Sequence, residues 1–133
     1  MKMNKGRVIG VMESFGSTED VSCCARLLDY IEAGTKRIYY YSDFVDAVSQ
    51  LHLSEPMQNV QRSLNLFKSK SFALLRQEYR YLDDDGVVYD VEVEDLQAAY
   101  EDGSLYLDWR NVADPDFASK VYIVFIACSG GAL

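Results

Sequence analysis

Apolar and polar residues alternate clearly on either side of an aspartate-rich turn in residues 72–94. Alternation of this kind is typical of β-strands, so the two runs predict a long β-hairpin. We expect a three-residue loop at 84–86, because it puts Gly86 in the left-handed conformation that a residue without Cβ adopts easily. That loop places Tyr81 opposite Tyr89 and gathers mostly apolar side chains on one face: Leu75, Tyr79, Tyr81, Tyr89, Val91 and Val93. The other face carries mainly charged side chains, which predicts cross-strand pairing: Arg76, Glu78, Arg80, Val88, Asp90 and Glu92.

The stretch before the hairpin has apolar residues spaced three and four apart, which predicts α-helices. Ser17 caps the first predicted helix together with Asp20, in the arrangement known as a capping box. This helix ends at Gly34, the residue type that commonly follows a helix. A short strand is predicted next at 38–41, ahead of a second helix over residues 43–50.

Serines are also predicted to cap the second and third helices. Ser42 precedes the helix over 43–50, and Ser54 begins the third helix, over 54–69, with a proline in its first turn. The apolar side of the third helix should face the core: Met57, Val60, Leu64 and Phe67. Its opposite face is polar and predicted to point outward: Gln58, Gln61, Arg62, Asn65 and Lys68.

Further strands are predicted near both ends of the chain. Residues 7–14 and 104–109 are short apolar runs, and residues 120–128 are apolar at nearly every position. The last run fits a strand covered on both faces, within a sheet or at a subunit interface. The segments beside these strands are predicted as a short helix ended by Gly103, a loop and a flexible end: 95–101, 111–118 and 129–131.

Composition narrows the possible functions of this 133-residue chain, which we expect to form a single domain over residues 1–133. No run approaches the roughly 18 apolar residues of a membrane helix, and the N-terminus lacks a secretory signal, so a cytoplasmic location is predicted. The three cysteines have no CxxC spacing and His52 is the only histidine, which favours buried free thiols over a metal site or a cofactor. Without a nucleophile or phosphate-loop motif, we expect no enzymatic activity.

The net charge of −8 is concentrated in the second half of the chain. Residues 1–70 contain nine Lys and Arg against eight Asp and Glu, whereas residues 71–133 contain four against thirteen. Phosphates would repel the acidic half, so any contact with DNA must come from the first half. Residues 95–133 are therefore predicted to form an acidic, strand-rich extension.

The predicted order of elements in residues 17–94 resembles that of the winged helix-turn-helix superfamily. The resemblance implies an α+β fold in which three N-terminal helices precede a hairpin, the wing, with extra strands added from both termini. It implies that the helix over 54–69 enters the DNA major groove and that residues 83–86 are the wing tip. Amide and guanidinium side chains can contact base edges, and lysines can contact phosphates. The implied DNA-binding residues are Gln58, Gln61, Arg62, Asn65, Lys68, Lys36 and Arg37.

The function implied by this resemblance is that of a DNA-binding or regulatory protein, predicted to be a homodimer on double-stranded DNA. The aspartates at 83–85 leave a second interpretation open, because a DNA-contacting wing carries Lys or Arg. In that interpretation the acidic half binds another protein, as in an adaptor or a mobile-element-encoded antagonist that does not bind DNA. A third hypothesis is a dimer that binds a small molecule in a pocket lined by some of the ten tyrosines.

Overall fold

The computed structural model describes residues 4–128, and this part of the chain combines five α-helices with six β-strands. The predicted α+β class is therefore confirmed. The helices are α1 (Lys5–Phe15), α2 (Thr18–Ala33), α3 (Tyr41–Ala47), α4 (Pro56–Phe67) and α5 (Val93–Asp102). The strands are β1 (Ile38–Tyr39), β2 (Leu75–Leu82), β3 (Val88–Val91), β4 (Leu105–Leu107), β5 (Val112–Asp114) and β6 (Val121–Ala127). The flexible end predicted at 129–131 lies outside the described residues.

The chain divides into two compact units, and the single-domain interpretation of residues 1–133 stays a prediction. Among the described residues, the first unit contains 4–77 and 125–128, and the second contains Glu78–Val124. Four strands form one sheet in the order β1-β6-β2-β3. Strands β4 and β5 form a separate antiparallel pair within the second unit.

Residues 5–15 form a helix, the first element of the described residues, so the strand predicted at 7–14 is wrong. Asn4 caps α1 by accepting a hydrogen bond from the Arg7 N–H at 3.1 Å. Val8 and Met12, four residues apart on one helical face, are buried in the core of the first unit. Their packing decides between helix and strand, because a short apolar run is compatible with both periods.

Two glycines in and after α1 should respond in opposite directions to replacement by alanine. At Gly10 an added Cβ meets nothing within 4 Å, so Gly10→Ala should raise the free energy of unfolding by about 0.5–1 kcal/mol through reduced backbone entropy. At Gly16 it would lie 2.8 Å from Met12 Sδ and 2.9 Å from Asp20 Cβ, so Gly16→Ala should lower that energy by about 1–3 kcal/mol. Urea unfolding measures both, and shifts in the same direction would contradict the packing around α1.

Helix α2 confirms the predicted capping box. Ser17 Oγ accepts a hydrogen bond from the Asp20 N–H at 3.1 Å, and Asp20 Oδ2 accepts one from the Ser17 N–H at 2.9 Å. Gly34 follows the last residue of the helix as predicted, with an ordinary φ of −78°. A Cβ at this position would lie 2.9 Å from Tyr39 Oη. The glycine is therefore required for space and not for a left-handed backbone.

The core of the first unit contains both adjacent cysteines. Cys23 and Cys24 are fully buried free thiols on α2, which confirms the prediction for these two residues. Cys128 is a free thiol that is only half-buried. Burial raises the pKa of Cys23 to about 11 and that of Cys24 to about 12.

Helix α3 begins before Ser42, its predicted cap. The Asp43 carboxylate accepts a hydrogen bond from the Tyr40 N–H at 2.8 Å. Tyr40 therefore takes the capping position and shortens the strand predicted at 38–41. The helix predicted over 43–50 ends earlier than expected, and its last turn is a 3₁₀ turn.

Helix α4 begins at Pro56, two residues after its predicted cap, Ser54. Ser54 Oγ instead donates to Glu19 Oε1 at 2.6 Å, and a proline at the first helical position sacrifices no intrahelical hydrogen bond. Met57 is 62% exposed, so its predicted place in the core is wrong. The other three members of the predicted apolar stripe are fully buried: Val60, Leu64 and Phe67.

The hairpin of β2 and β3 has the predicted register and loop. Gly86 has a φ of 85°, as the three-residue loop requires. The predicted pair Tyr81–Tyr89 is present, and the same register pairs Tyr79 with Val91 and Arg80 with Asp90. The strands end before the predicted limits of 72–94, because α5 begins at Val93. The tyrosine-rich face packs against the core of the second unit, which contains Leu96, Ala99, Leu105, Leu107 and Phe117.

Strand β6 confirms the strand predicted at 120–128, and it lies inside the sheet between β1 and β2. Ile126 pairs with Ile38 and Phe125 with Tyr39. Val124, Phe125 and Ile126 are buried, whereas Ile123 is 43% exposed, so the predicted cover on both faces holds for only part of the strand.

Candidate binding site

The predicted DNA-contacting face of α4 is exposed, but several of its polar groups already bind protein atoms. Gln61 Nε2 donates to Asn65 Oδ1 at 2.9 Å, so these two side-chain amides are hydrogen-bonded to each other. Arg62 Nη1 lies 3.1 Å from Asp20 Oδ1. Gln58 is exposed, and its side chain makes no hydrogen bond within residues 4–128. The structure therefore places four of the predicted residues on one helical face. Three of them already bind other side chains of the same chain.

The predicted phosphate-contacting residues also lie in the first unit. Lys68 Nζ donates to Gln77 Oε1 at 2.5 Å, and burial lowers the pKa of this lysine. Lys36 Nζ lies 3.5 Å from Asp43 Oδ1. Arg37 is exposed just before β1. Two of the three cations thus have an intramolecular partner.

A buried carboxylate holds Arg62 in place. Asp20 is 2% exposed and accepts a hydrogen bond from Asn59 Nδ2 at 2.6 Å in addition to its bonds with Ser17 and Arg62. Burial alone would raise the pKa of Asp20, but these donors outweigh it and hold the pKa below its ordinary value. The network joins α2 to α4, and Arg62 is a structural residue of this joint.

The hairpin tip is anchored by a buried aspartate. Asp83 Oδ2 accepts hydrogen bonds from Trp109 Nε1 and Arg110 Nε, both at 2.9 Å, and Oδ1 accepts one from the Asp84 N–H at 2.7 Å. Burial would raise the pKa of Asp83, but these donors and the Arg110 charge hold it below its ordinary value. Asp83 therefore fixes the Trp109–Arg110 segment, whereas Asp84 and Asp85 are exposed.

A second buried carboxylate joins β5 to β2. Asp114 Oδ2 accepts hydrogen bonds from Tyr81 Oη at 2.6 Å and Lys120 Nζ at 3.1 Å, and Oδ1 accepts one from the Asp116 N–H at 2.8 Å. Burial would raise the pKa of Asp114, but these donors hold it below its ordinary value. Burial and the hydrogen bond to Asp114 raise the pKa of Tyr81 to about 12. The loop predicted at 111–118 is partly wrong, because Asp114 belongs to a paired strand.

The second unit contains a cleft of about 630 Å³ between β3, α5 and the β4–β5 pair. Five carboxylates line it: Asp90, Glu92, Asp95, Asp102 and Asp108. Apolar and aromatic groups complete the walls: Val91, Ala98, Ala99, Leu105, Tyr106, Trp109 and Ala113. We call this site the acidic cleft.

Helix α5 contributes two of these carboxylates through its periodicity. Asp95 and Asp102 are seven residues apart and therefore share a face. Ala98 and Ala99 lie between them, and their small side chains leave room for the cleft. Gly103, with a φ of 85°, ends the helix as predicted and leads the chain into β4.

The acidic cleft carries negative charge that the chain does not neutralise. Residues 78–124 contain thirteen Asp and Glu against three Lys and Arg, a net charge of −10. Asp90 Oδ1 lies 3.4 Å from Arg80 Nε. Within the described residues, the other acidic residues that line the cleft form no ion pair. Asp102 also opposes the dipole of α5, because a negative charge at a helix C-terminus is unfavourable by about 0.3–1 kcal/mol.

Trp109 gives the acidic cleft a rigid aromatic wall. Its ring stacks on Tyr89 with 3.9 Å between centroids and 7° between planes, while its N–H is held by Asp83. An aromatic face beside carboxylates favours cations, and guanidinium groups in particular, because they stack on rings and pair with carboxylates in one geometry.

The fold and the site define an α+β protein with an acidic, aromatic-lined cleft. No family model matches the chain, and comparisons with curated proteins and with solved structures found no match either. Within residues 4–128, no helix is long and apolar enough to cross a membrane. The same residues contain no group of three or more His, Cys, Asp or Glu arranged to hold a metal ion.

Proposed function

We propose that this protein is an acidic interaction module whose cleft binds a basic segment of a partner protein. The observation that carries the proposal is that five acidic residues and Trp109 line one cleft. Four of these carboxylates make no side-chain bond within the described residues: Glu92, Asp95, Asp102 and Asp108. A cationic segment would form ion pairs with these carboxylates. The net charge of −10 on this unit would also attract the segment and speed its association.

Arginine fits the acidic cleft better than lysine does. Its planar guanidinium group can contact the Trp109 ring, one face of which is covered by Tyr89, while its N–H groups reach neighbouring carboxylates. Ala98 and Ala99 leave space for such a flat group between Asp95 and Asp102. The partner segment that the cleft favours is therefore rich in arginine.

DNA binding by α4 and the homodimer remain predictions. Gln58 is the residue on the predicted face whose polar atoms stay available in the described chain, whereas binding through Arg62 would compete with buried Asp20. A titration with mixed-sequence duplex DNA at low salt, repeated with Arg62→Glu, tests the first prediction. Sedimentation velocity tests the second.

Removing two cleft charges should weaken the binding of a basic peptide about tenfold, because two partly exposed ion pairs are lost. The double variant Asp95→Asn, Asp102→Asn keeps the shape of both side chains. The probe is a capped peptide of about ten residues in which Arg alternates with Thr. Trp109 is the only tryptophan and lines the cleft, so its fluorescence reports occupancy directly.

Helix α5 also provides the matched control. Glu94→Gln, Glu101→Gln removes the same charge from the same two helical turns, but neither residue lines the cleft. This control should change the dissociation constant less than threefold. Absence of any saturable fluorescence change with the peptide would sink the proposed function. Equal weakening by both double variants would assign the binding to general charge and not to the cleft.

A further inference from the structure

We infer that the partner segment binds as an extended strand added to the free edge of β3. This inference rests on the proposed function and deepens it by giving the conformation of the partner. Strand β3 is the last strand in the sheet order, with β2 on one side. Within the described residues no strand pairs with its other edge, and such an edge is a template for a further strand.

The register shows which backbone groups face the free edge. The Asp83 N–H donates to the Val87 carbonyl oxygen at 2.9 Å. Hydrogen-bonded and non-hydrogen-bonded pairs alternate along an antiparallel ladder, so Val88 and Asp90 belong to non-hydrogen-bonded pairs. Their N–H and C=O groups therefore point away from β2, where an added strand would bind them.

The C-terminal end of the free edge borders the acidic cleft. Asp90 and Val91 line the cleft together with Glu92 and α5, so a strand paired with β3 would reach the cleft at this end. Alternate side chains of that strand would point to opposite faces of the sheet. A strand with a basic residue at every second position can therefore direct all its cations to one side while its backbone pairs with β3.

Charge selects this occupant over a second copy of the chain. A second copy would bring its own Asp90 and its own unit of net charge −10 against the same edge. Exposed edge strands commonly carry charged residues that prevent pairing with another strand. In β3 only Asp90 is charged, and Val88 is 45% exposed. A basic strand removes the repulsion and covers this apolar position.

Backbone methylation of the peptide separates strand pairing from charge attraction. Two versions of the Arg-Thr peptide carry N-methyl groups on all Arg or on all Thr residues, so charge and composition stay the same. Because N–H groups of alternate residues face the same edge of a strand, one version should bind at least tenfold more weakly, and the other should stay within threefold of the parent. Equal behaviour of the two versions would overturn the strand model.

A protein variant tests the same edge from the other side. Val88→Pro removes one outward N–H and leaves the β2 ladder bonds in place, since proline is tolerated on edge strands. It should weaken the parent peptide about tenfold, whereas Val88→Thr, which keeps the N–H, should not. If Val88→Pro does not fold, the methylated peptides decide alone.

The outcomes separate the two proposals. Failure of every basic peptide to bind removes the proposed function itself. Binding of the parent peptide with no preference between the methylated versions leaves that function standing and removes only the strand. A dimer in sedimentation that Val88→Pro dissociates would assign the edge to a second copy and would overturn the inference.

Discussion

Replacing Asp20 by alanine is expected to lower the free energy of unfolding by about 2–4 kcal/mol, because the buried Asn59 amide and the Ser17 N–H lose a charged acceptor. The change removes the carboxylate that accepts hydrogen bonds from the Ser17 N–H, Asn59 and Arg62, and it leaves the bond from the backbone N–H of residue 20 to Ser17 Oγ. Urea unfolding followed by circular dichroism measures the loss. Ser17→Ala is the matched control and should cost only about 1 kcal/mol, because it removes the cap alone.

Acidification should reduce the difference in unfolding free energy between the wild type and Asp20→Ala. The folded pKa of Asp20 lies below its ordinary value of 3.8, so its stabilising effect is complete well above that pH and is lost as the pH falls through the folded value. The gap in unfolding free energy between the wild type and Asp20→Ala should therefore narrow on acidification. A loss below 1 kcal/mol at neutral pH would show that the joint between α2 and α4 does not depend on this carboxylate.

Replacing Asp114 by alanine is expected to lower the free energy of unfolding by about 2–4 kcal/mol, since buried donors lose their acceptor. Tyr81 Oη, Lys120 Nζ and the Asp116 N–H all donate to this carboxylate. Tyr81→Phe removes only one of these bonds and should cost about 0.5–1.5 kcal/mol. Trp109 fluorescence follows unfolding of the second unit, and equal effects of the two variants would contradict a shared hydrogen-bond network.

The alkaline side gives an independent readout of the same network. Tyr81 has a folded pKa of about 12 against an ordinary 10.0, so the favourable effect of its neutral hydroxyl is complete below pH 10.0 and is lost as the pH rises through about 12. In Asp114→Ala the hydroxyl no longer faces a carboxylate. A spectrophotometric tyrosine titration should then show Tyr81 ionising at lower pH than in the wild type.

The features that the sequence predicts correctly depend on local chemistry. The capping box requires only Ser17 and Asp20, three residues apart, and both bonds are present. The hairpin register depends on loop length and on a left-handed residue, which Gly86 supplies. Each choice is made by a few neighbouring residues, so tertiary packing confirms it without changing it.

The features that the sequence does not predict depend on distant partners. The run at 7–14 becomes a helix because Val8 and Met12 find a helical core. Ser54 does not cap the helix, because its hydroxyl donates a hydrogen bond to Glu19, which is far from it in sequence. Neither partner is visible from the local pattern.

The acidic cleft is an intermediate case. The spacing of Asp95 and Asp102 is readable in the sequence as one face of a helix, with two alanines between them. The apolar stripe of the same helix gives a stronger signal and draws attention to the core face. The other lining residues arrive from β3 and from the turn after β4, so only the fold brings the five carboxylates together.

The two adjacent thiols of α2 can report how often the helical core of the first unit opens. Thiolate is the reactive form of cysteine, and pKa values of about 11 and about 12 keep Cys23 and Cys24 protonated at neutral pH. Burial also closes both sulfur atoms to reagents in the folded state. Alkylation of these residues therefore requires the surrounding helices to separate, and its rate measures how often the first unit opens.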